Sequence, residues 1–598
     1  MKLKRTFISI VALMLAVCLM PTALAATWYL EDGDITVIAN ENGQSVKQGS
    51  NDAVADSDTV ITQRDSEKAT DNTITVSTTD DATANITIED VNINSYGDAI
   101  DVGSSGANIT LEGDNKLNSE YGSGLHVSDG DVTITGSGSL EAGSKNDSNN
   151  NAAIGSHENE AMSGDITIGG DAQVTAVSRD DGAGIGSGDM GEMSGDITIG
   201  DNAQVTAWSE TGGAGIGSGR ESNMSGNITI GGSAQVTAGS NSETAGIGSG
   251  NNGVFTSTGR VVIRDSAKVT AIGENEGAGI GTGEDELMAG MIIIQDNAQV
   301  TAIAGDRAAA IGSDNLDEMT GTIIIIGNAR VTTGILDDDD VYFDYNTKEI
   351  KYTLDENAIG YIGDSKYSNH ESDEGHYIIG PDVTINGISG SDIEALKDYI
   401  NMRLSGENHN GEPENLTKLD VRSENGEFTV TAEGEGAVEK ILYGGSENVP
   451  TAPGTYPVTC VVRIGEETIE FQIGTYGVPE PAPQPEPMAH HERIQLYRVA
   501  DKQGRSIAYK AVQQGGVLTI TTDEKEAKLI IERGGLFALS RQGITKIVFV
   551  TASQKSAISV SAAMEKGSGE FVLLNGSRKV KLTIAGAAVD ADGILIKE

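Results

Sequence analysis

Between residues 150 and 335 the chain alternates apolar and polar positions in runs of four or five, separated by glycine-rich turns. Successive side chains of a strand point to opposite faces, so period-two alternation predicts strands rather than helices. "DITI" turns Ile166 and Ile168 inward and exposes Thr167. "AQVTA" does the same with Ala, Val and Ala inward and Gln and Thr outward. Thr, Val and Ile enrichment supports strands throughout.

The pattern repeats. Taking the isoleucine of each "IG" as marker gives Ile154, Ile185, Ile216, Ile247, Ile280 and Ile311, spaced by 31, 31, 31, 33 and 31 residues. Eight residues after each marker stand Met162, Met193, Met224, Phe255, Met288 and Met319. Each unit closes on "VTA" or "VTT", at Val174, Val205, Val236, Val269, Val300 and Val331. Looser units precede the array, with Ile100 in "GDAIDV" and Leu125 in "GSGLHV", and "DGDITVIA" and "NTITVST" earlier still.

No unit can bury its Ile and Val alone. Stacked at the inter-strand spacing, equivalent residues make continuous ladders around a shared core. The sequence therefore predicts an all-β, right-handed parallel β-helix with coils of about 31 residues. Nine or ten coils would give a rod roughly 45 Å long. The heptapeptide "GAGIGSG", at 182–188 and 213–219, then reads as architecture, with Ile as the rung and glycine allowing a tight corner.

Beyond Leu336 the pattern stops. Asp337, Asp338, Asp339 and Asp340 form an acidic run, followed by Tyr342, Phe343, Tyr345, Tyr352, Tyr361, Tyr367 and Tyr377. This segment, 336–378, is expected to cap the exposed edge of the last coil. Residues 379–477 read as an Ig-like or α+β module. Its helix is expected at 391–404, with Ser391 as N-cap and Glu394 closing a capping box. Residues 478–491 form a Pro-rich linker, and 492–598 a separate β-rich domain.

Composition adds a setting. Lys2, Lys4 and Arg5, an apolar run, and Ala23-Leu24-Ala25 form an export signal over 1–25, leaving 26–335 as the β-helix. That signal makes an extracellular or cell-surface location the expectation, and no later stretch is long and apolar enough to span a bilayer. Only Cys460 remains after cleavage, read as a buried thiol. Residues 26–490 hold 21 basic against 78 acidic residues, whereas 491–598 hold 16 basic and 11 acidic. The first surface repels nucleic acid. The second could dock on an anionic wall polymer.

Motifs for chemistry are sparse. The seven histidines are dispersed, at 126, 157, 370, 376, 409, 490 and 491, with no HExxH, Walker loop or Ser-His-Asp pattern. Polysaccharide-cleaving β-helices need clustered carboxylates in a groove. Here the units differ mostly in loops such as "HENEA", "DMGEM" and "RESNM". No catalytic residues are assigned, and the protein is expected not to be an enzyme.

The coils around "NITIEDVNINSYGDAIDVGSSGANITLEGDNKLNS" and "SGLHVSDGDVTITGSGSL", followed by "GIGSG" units, resemble a family of secreted β-helix carbohydrate-binding surface proteins of clostridia and gut Firmicutes. The resemblance covers about residues 27–335. It implies non-catalytic binding of polysaccharide or surface glycan and calcium ions on the helix. Asp98 and Asp101, in "GDAIDV", are the nearest candidates for calcium, with Asp337 to Asp340 as a second acidic group. A structural stalk or adhesin that contacts a protein partner is the alternative.

Overall fold

The computed structural model describes residues 26–478 and 496–596 apart from short internal stretches, the longest being 364–374 and 401–414. The segment 1–25 expected to be an export signal, nearly all of the Pro-rich linker, and His370, His409, His490 and His491 lie outside the described residues. The chain divides into two compact units, Met1–Pro481 and Ala482–Glu598.

The first unit is built on a parallel β-helix whose faces are sheets of fourteen, twelve and thirteen strands, which also take in flanking antiparallel strands. Its rungs are the markers read from the sequence. Ile154, Ile185, Ile216, Ile247, Ile280 and Ile311 pair in parallel register. The ladder continues back through Leu125, Ile100, Ile74 and Ile35, and forward to Ile362 and Ile400. Met162, Met193, Met224, Phe255, Met288 and Met319 form a second ladder of single bridges. All of these are buried in one continuous core. Each fully buried large aliphatic side chain contributes roughly 1.5–3 kcal/mol relative to exposure.

The glycine after each rung is a necessity of the corner. Gly186 and Gly217 both have φ of +141°. A Cβ at either would be driven into the carbonyl oxygen of the glycine one coil on, Gly217 or Gly248. The tight corner therefore excludes a side chain both by dihedral and by stacking.

The β-helix does not stop at residue 335. His376–Ile379 extends the fourteen-stranded sheet beyond Thr322–Ile325, and Leu416 to Lys418 pair with it in turn. The segment expected to cap the end does something else. Arg330–Asp344 runs out of the helix into a hairpin with Glu349–Leu354. Leu336, Val341, Phe343 and Ile350 then cover Val177, Trp208, Ile272 and Ile303 on the lateral face. Lys348 pairs with Glu141 and Tyr345 donates to Glu210, which tie the hairpin to earlier coils. Apolar residues in the outward register supply the reason. They need cover more than the last coil does.

The strands of 416–478 pack similarly. Tyr443, Val458, Cys460, Val462 and Phe471 lie against outward-facing Ile293, Ile324, Ile326 and Ile378. They are thus part of the first unit rather than a free module. Cys460 is fully buried, and burial pushes its thiol up to about 12. The described helix is short, Ile393–Leu396, and its N-cap is Asp392, which accepts from the Ala395 N–H. Ser391 instead bonds Ser389, and Glu394 pairs with Lys397. Aspartate one residue later offers the same capping oxygen in the position the backbone actually turns.

The second unit combines a five-stranded and a four-stranded sheet with helices Gly535–Arg541 and Val560–Glu565. Its own core includes Val499, Ile520, Leu529, Phe549, Phe571 and Leu573. The strands follow the sequence alternation, whereas the two helices had no distinct periodic signal.

Candidate functional site

The register that stacks the isoleucines also stacks the residues beside them. Asp101, His126 and Gly155 are equivalent positions on successive coils. The regular units carry glycine there, at a φ that disfavours side chains; the two looser units just before them carry Asp101 and His126, and the two before those Thr36 and Thr75. The next turn, "HENEA", folds back through Asn159 at φ +60°, and its Glu160 carbonyl accepts from Ser156 Oγ. That turn brings His157 and Glu160 to the same place.

The result is a compact charged cluster. The His126 and His157 rings stack with centroids 3.8 Å apart and 3° between planes. His126 Nδ1 lies 2.8 Å from Asp101 Oδ1 and His126 Nε2 lies 2.8 Å from Glu160 Oε2. His157 Nε2 lies 2.7 Å from Asp98 Oδ1, which also accepts the Ser123 N–H at 2.7 Å. His126 is only 7% exposed.

The electrostatics follow from this geometry. Burial alone would depress the His126 pKa, but its hydrogen bonds to the accepting carboxylates of Asp101 and Glu160 outweigh it and push it up to about 9. Burial alone would raise the Asp98 carboxyl. The His157 hydrogen bond and charge, with the Ser123 N–H, hold it below the ordinary aspartate value.

Two residues ahead of Asp98 and of Ser123 stand Tyr96 and Tyr121, joined by a backbone hydrogen bond. They are 73% and 49% exposed, with ring centroids 4.7 Å apart and planes tilted by 47°. Exposed aromatic side chains on adjacent coils are unusual in a chain with so few of them.

Of the expected acidic residues, the structure brings Asp98 and Asp101 together. Asp337 is exposed, on the long strand Arg330–Asp344 where its register with the hairpin partner shifts. Asp338, Asp339 and Asp340 share that strand, and their side chains lie outside the described residues. Among the described residues, Asp98, His126 and His157 are the one group with metal-ligand spacing. The cluster does not suit the calcium expected of it. Calcium takes six to eight oxygen ligands, and here two imidazoles occupy the centre.

His126, His157 and Glu160 escaped the sequence reading, which found the histidines dispersed. The signal was a break in the repeat, with Asp101 and His126 at the glycine position and two ionisable groups in "HENEA".

No family model, curated protein or solved structure matches the chain. Among the described residues, no helix is long and apolar enough to cross a membrane.

Proposed function

We propose that the protein is an exported, non-catalytic binding protein that holds glycan on the open flank around Tyr96 and Tyr121. The observation that carries this reading is the exposed tyrosine pair beside a carboxylate-rich cluster. Flat aromatic faces accommodate the apolar faces of pyranose rings, and carboxylates accept hydrogen bonds from hydroxyls. The β-helix supplies rigid support, since both tyrosines lie on hydrogen-bonded coils. The resemblance of the coils to carbohydrate-binding surface proteins points the same way.

The test is retention of residues 26–598 on insoluble and acidic polysaccharides, with calcium and with chelator. Selective retention is expected, reduced at least tenfold by Tyr96→Ala or Tyr121→Ala. Retention on no polymer, or retention indifferent to both substitutions, overturns the reading. Capture by a protein partner would then favour the stalk or adhesin.

A further inference from the structure

We propose that Asp98, His126 and His157 form a site for a divalent transition-metal ion of the zinc class, with Asp101 at its edge and Glu160 orienting both imidazoles. This does not rest on the glycan reading, and it is tested without any polymer.

Donor chemistry comes first. Two imidazole nitrogens with carboxylate oxygens are the set that zinc and its first-row neighbours take, whereas calcium and magnesium prefer oxygen alone. Spacing comes second. The three candidate ligand atoms all lie within 4.8 Å of one another. Tetrahedral zinc, with bonds of about 2.0–2.1 Å, places its ligand atoms roughly 3.3 Å apart. The separations of 2.7 Å from Asp98 Oδ1 to His157 Nε2, and 3.9 Å from Asp98 Oδ2 to His126 Nδ1, bracket that value.

The third argument is orientation. Glu160 Oε2 faces the far nitrogen of both rings, at 2.8 Å from His126 Nε2 and 3.6 Å from His157 Nδ1. A carboxylate behind a ligating histidine fixes the ring and strengthens the opposite nitrogen as a donor. One glutamate thereby turns His126 Nδ1 and His157 Nε2 toward the aspartates. Each of those two nitrogens shares a hydrogen-bond proton with Asp101 or Asp98. An entering cation would take the place of those protons, so binding should release them.

The frame is rigid. His126 sits on a strand paired in register with Ile154–Gly155, and the 157–160 turn is closed by its own hydrogen bonds. Two rings 3° from parallel and 3.8 Å apart cannot both aim an in-plane lone pair at one ion, so binding rotates the more exposed His157 ring out of the stack while the strand holds His126. A purely structural cluster of ion pairs is the competing account, and it predicts no uptake of metal.

The experiment is calorimetric titration of metal-free, untagged residues 26–598 with Zn²⁺ alone, in two buffers of different ionisation enthalpy. One equivalent is expected to bind with release of protons. His157→Gln should weaken binding at least 100-fold, and Glu160→Gln about 10–100-fold with stoichiometry kept. His126 is buried, so these two variants, on the more exposed turn, carry the test, with far-UV circular dichroism reporting their fold. Three results overturn the proposal. They are no uptake at micromolar Zn²⁺, uptake unchanged in both variants, or stoichiometric displacement of Zn²⁺ by equimolar Ca²⁺.

Discussion

Along the fourteen-stranded sheet the same outward position reads Thr133, Thr167, Thr198 and Thr229 on four successive coils, then Val262, Ile293, Ile324 and Ile378 on the next four. The threonines are half-buried, while the three isoleucines are buried beneath the strands of 416–478. The inward ladder scarcely changes between the two regions. What distinguishes them is a handful of methyl groups on the outer face. Where that face is polar the flank stays open to solvent, and where it is apolar the chain folds back to cover itself. The charged cluster and the tyrosine pair belong to the early coils, where the repeat is loosest and side chains replace corner glycines.

The comparison can be broken hardest at what both regions share. Gly217→Val should abolish cooperative folding or cost more than about 4 kcal/mol. It places a β-branched residue at positive φ and drives Cβ into the Gly248 carbonyl. Thermal unfolding and protease resistance measure it, and a fully stable variant would contradict the stacked corner. The regions themselves are separated by paired substitutions. Ile324→Asp buries a carboxylate beneath the covering strands and should cost about 3–5 kcal/mol. Thr198→Asp, one rung from Thr229 on the open stretch, should fall within about 0.5 kcal/mol of wild type. Equal losses from the two would mean that the late coils are no more covered than the early ones.

The inward architecture was legible because it depends on local facts, alternation within a strand and a fixed interval between coils. Ile154 through Ile311 pair as their spacing implies. The outer cover was harder, since it depends on what a distant segment does. Its trace was present in Val177, Trp208, Ile272 and Ile303, large residues where other coils carry Gly143 or Gly239. The site was half legible. Asp98 and Asp101 stood out in one short phrase. His126 and His157 joined them only through the register between coils of 25, 29 and 31 residues, which strand alternation does not fix. An ordinary capping shift, Ser391 to Asp392, shows the same limit at the scale of one turn.

A smaller effect than that of Ile324→Asp, and one set by pH, sharpens the contrast within the open flank itself. Asp189 lies one coil beyond His157, its carbonyl accepting the Asn159 N–H, and is 3% exposed. Unlike Asp98 it has no imidazole partner, and its Oδ1 accepts no hydrogen bond among the described residues. Arg220, the nearby cation, bonds Asp181 instead. Burial first, and the charge of Asp181 second, push the Asp189 pKa up to about 6. A carboxyl whose pKa is raised on folding stabilises the fold below its unfolded value, about 3.9, and loses that contribution as pH rises through 6. Asp189→Asn should therefore stabilise by about 1–2 kcal/mol at pH 8, about half as much at pH 5, and little near pH 3. His126, raised to about 9, loses its own contribution between about 6.5 and 9. That loss is common to both proteins and cancels in the difference between their melting temperatures. A difference equal at all three pH values would show that Asp189 is ionised as freely as an exposed aspartate, and that the early flank is more open than its burial implies.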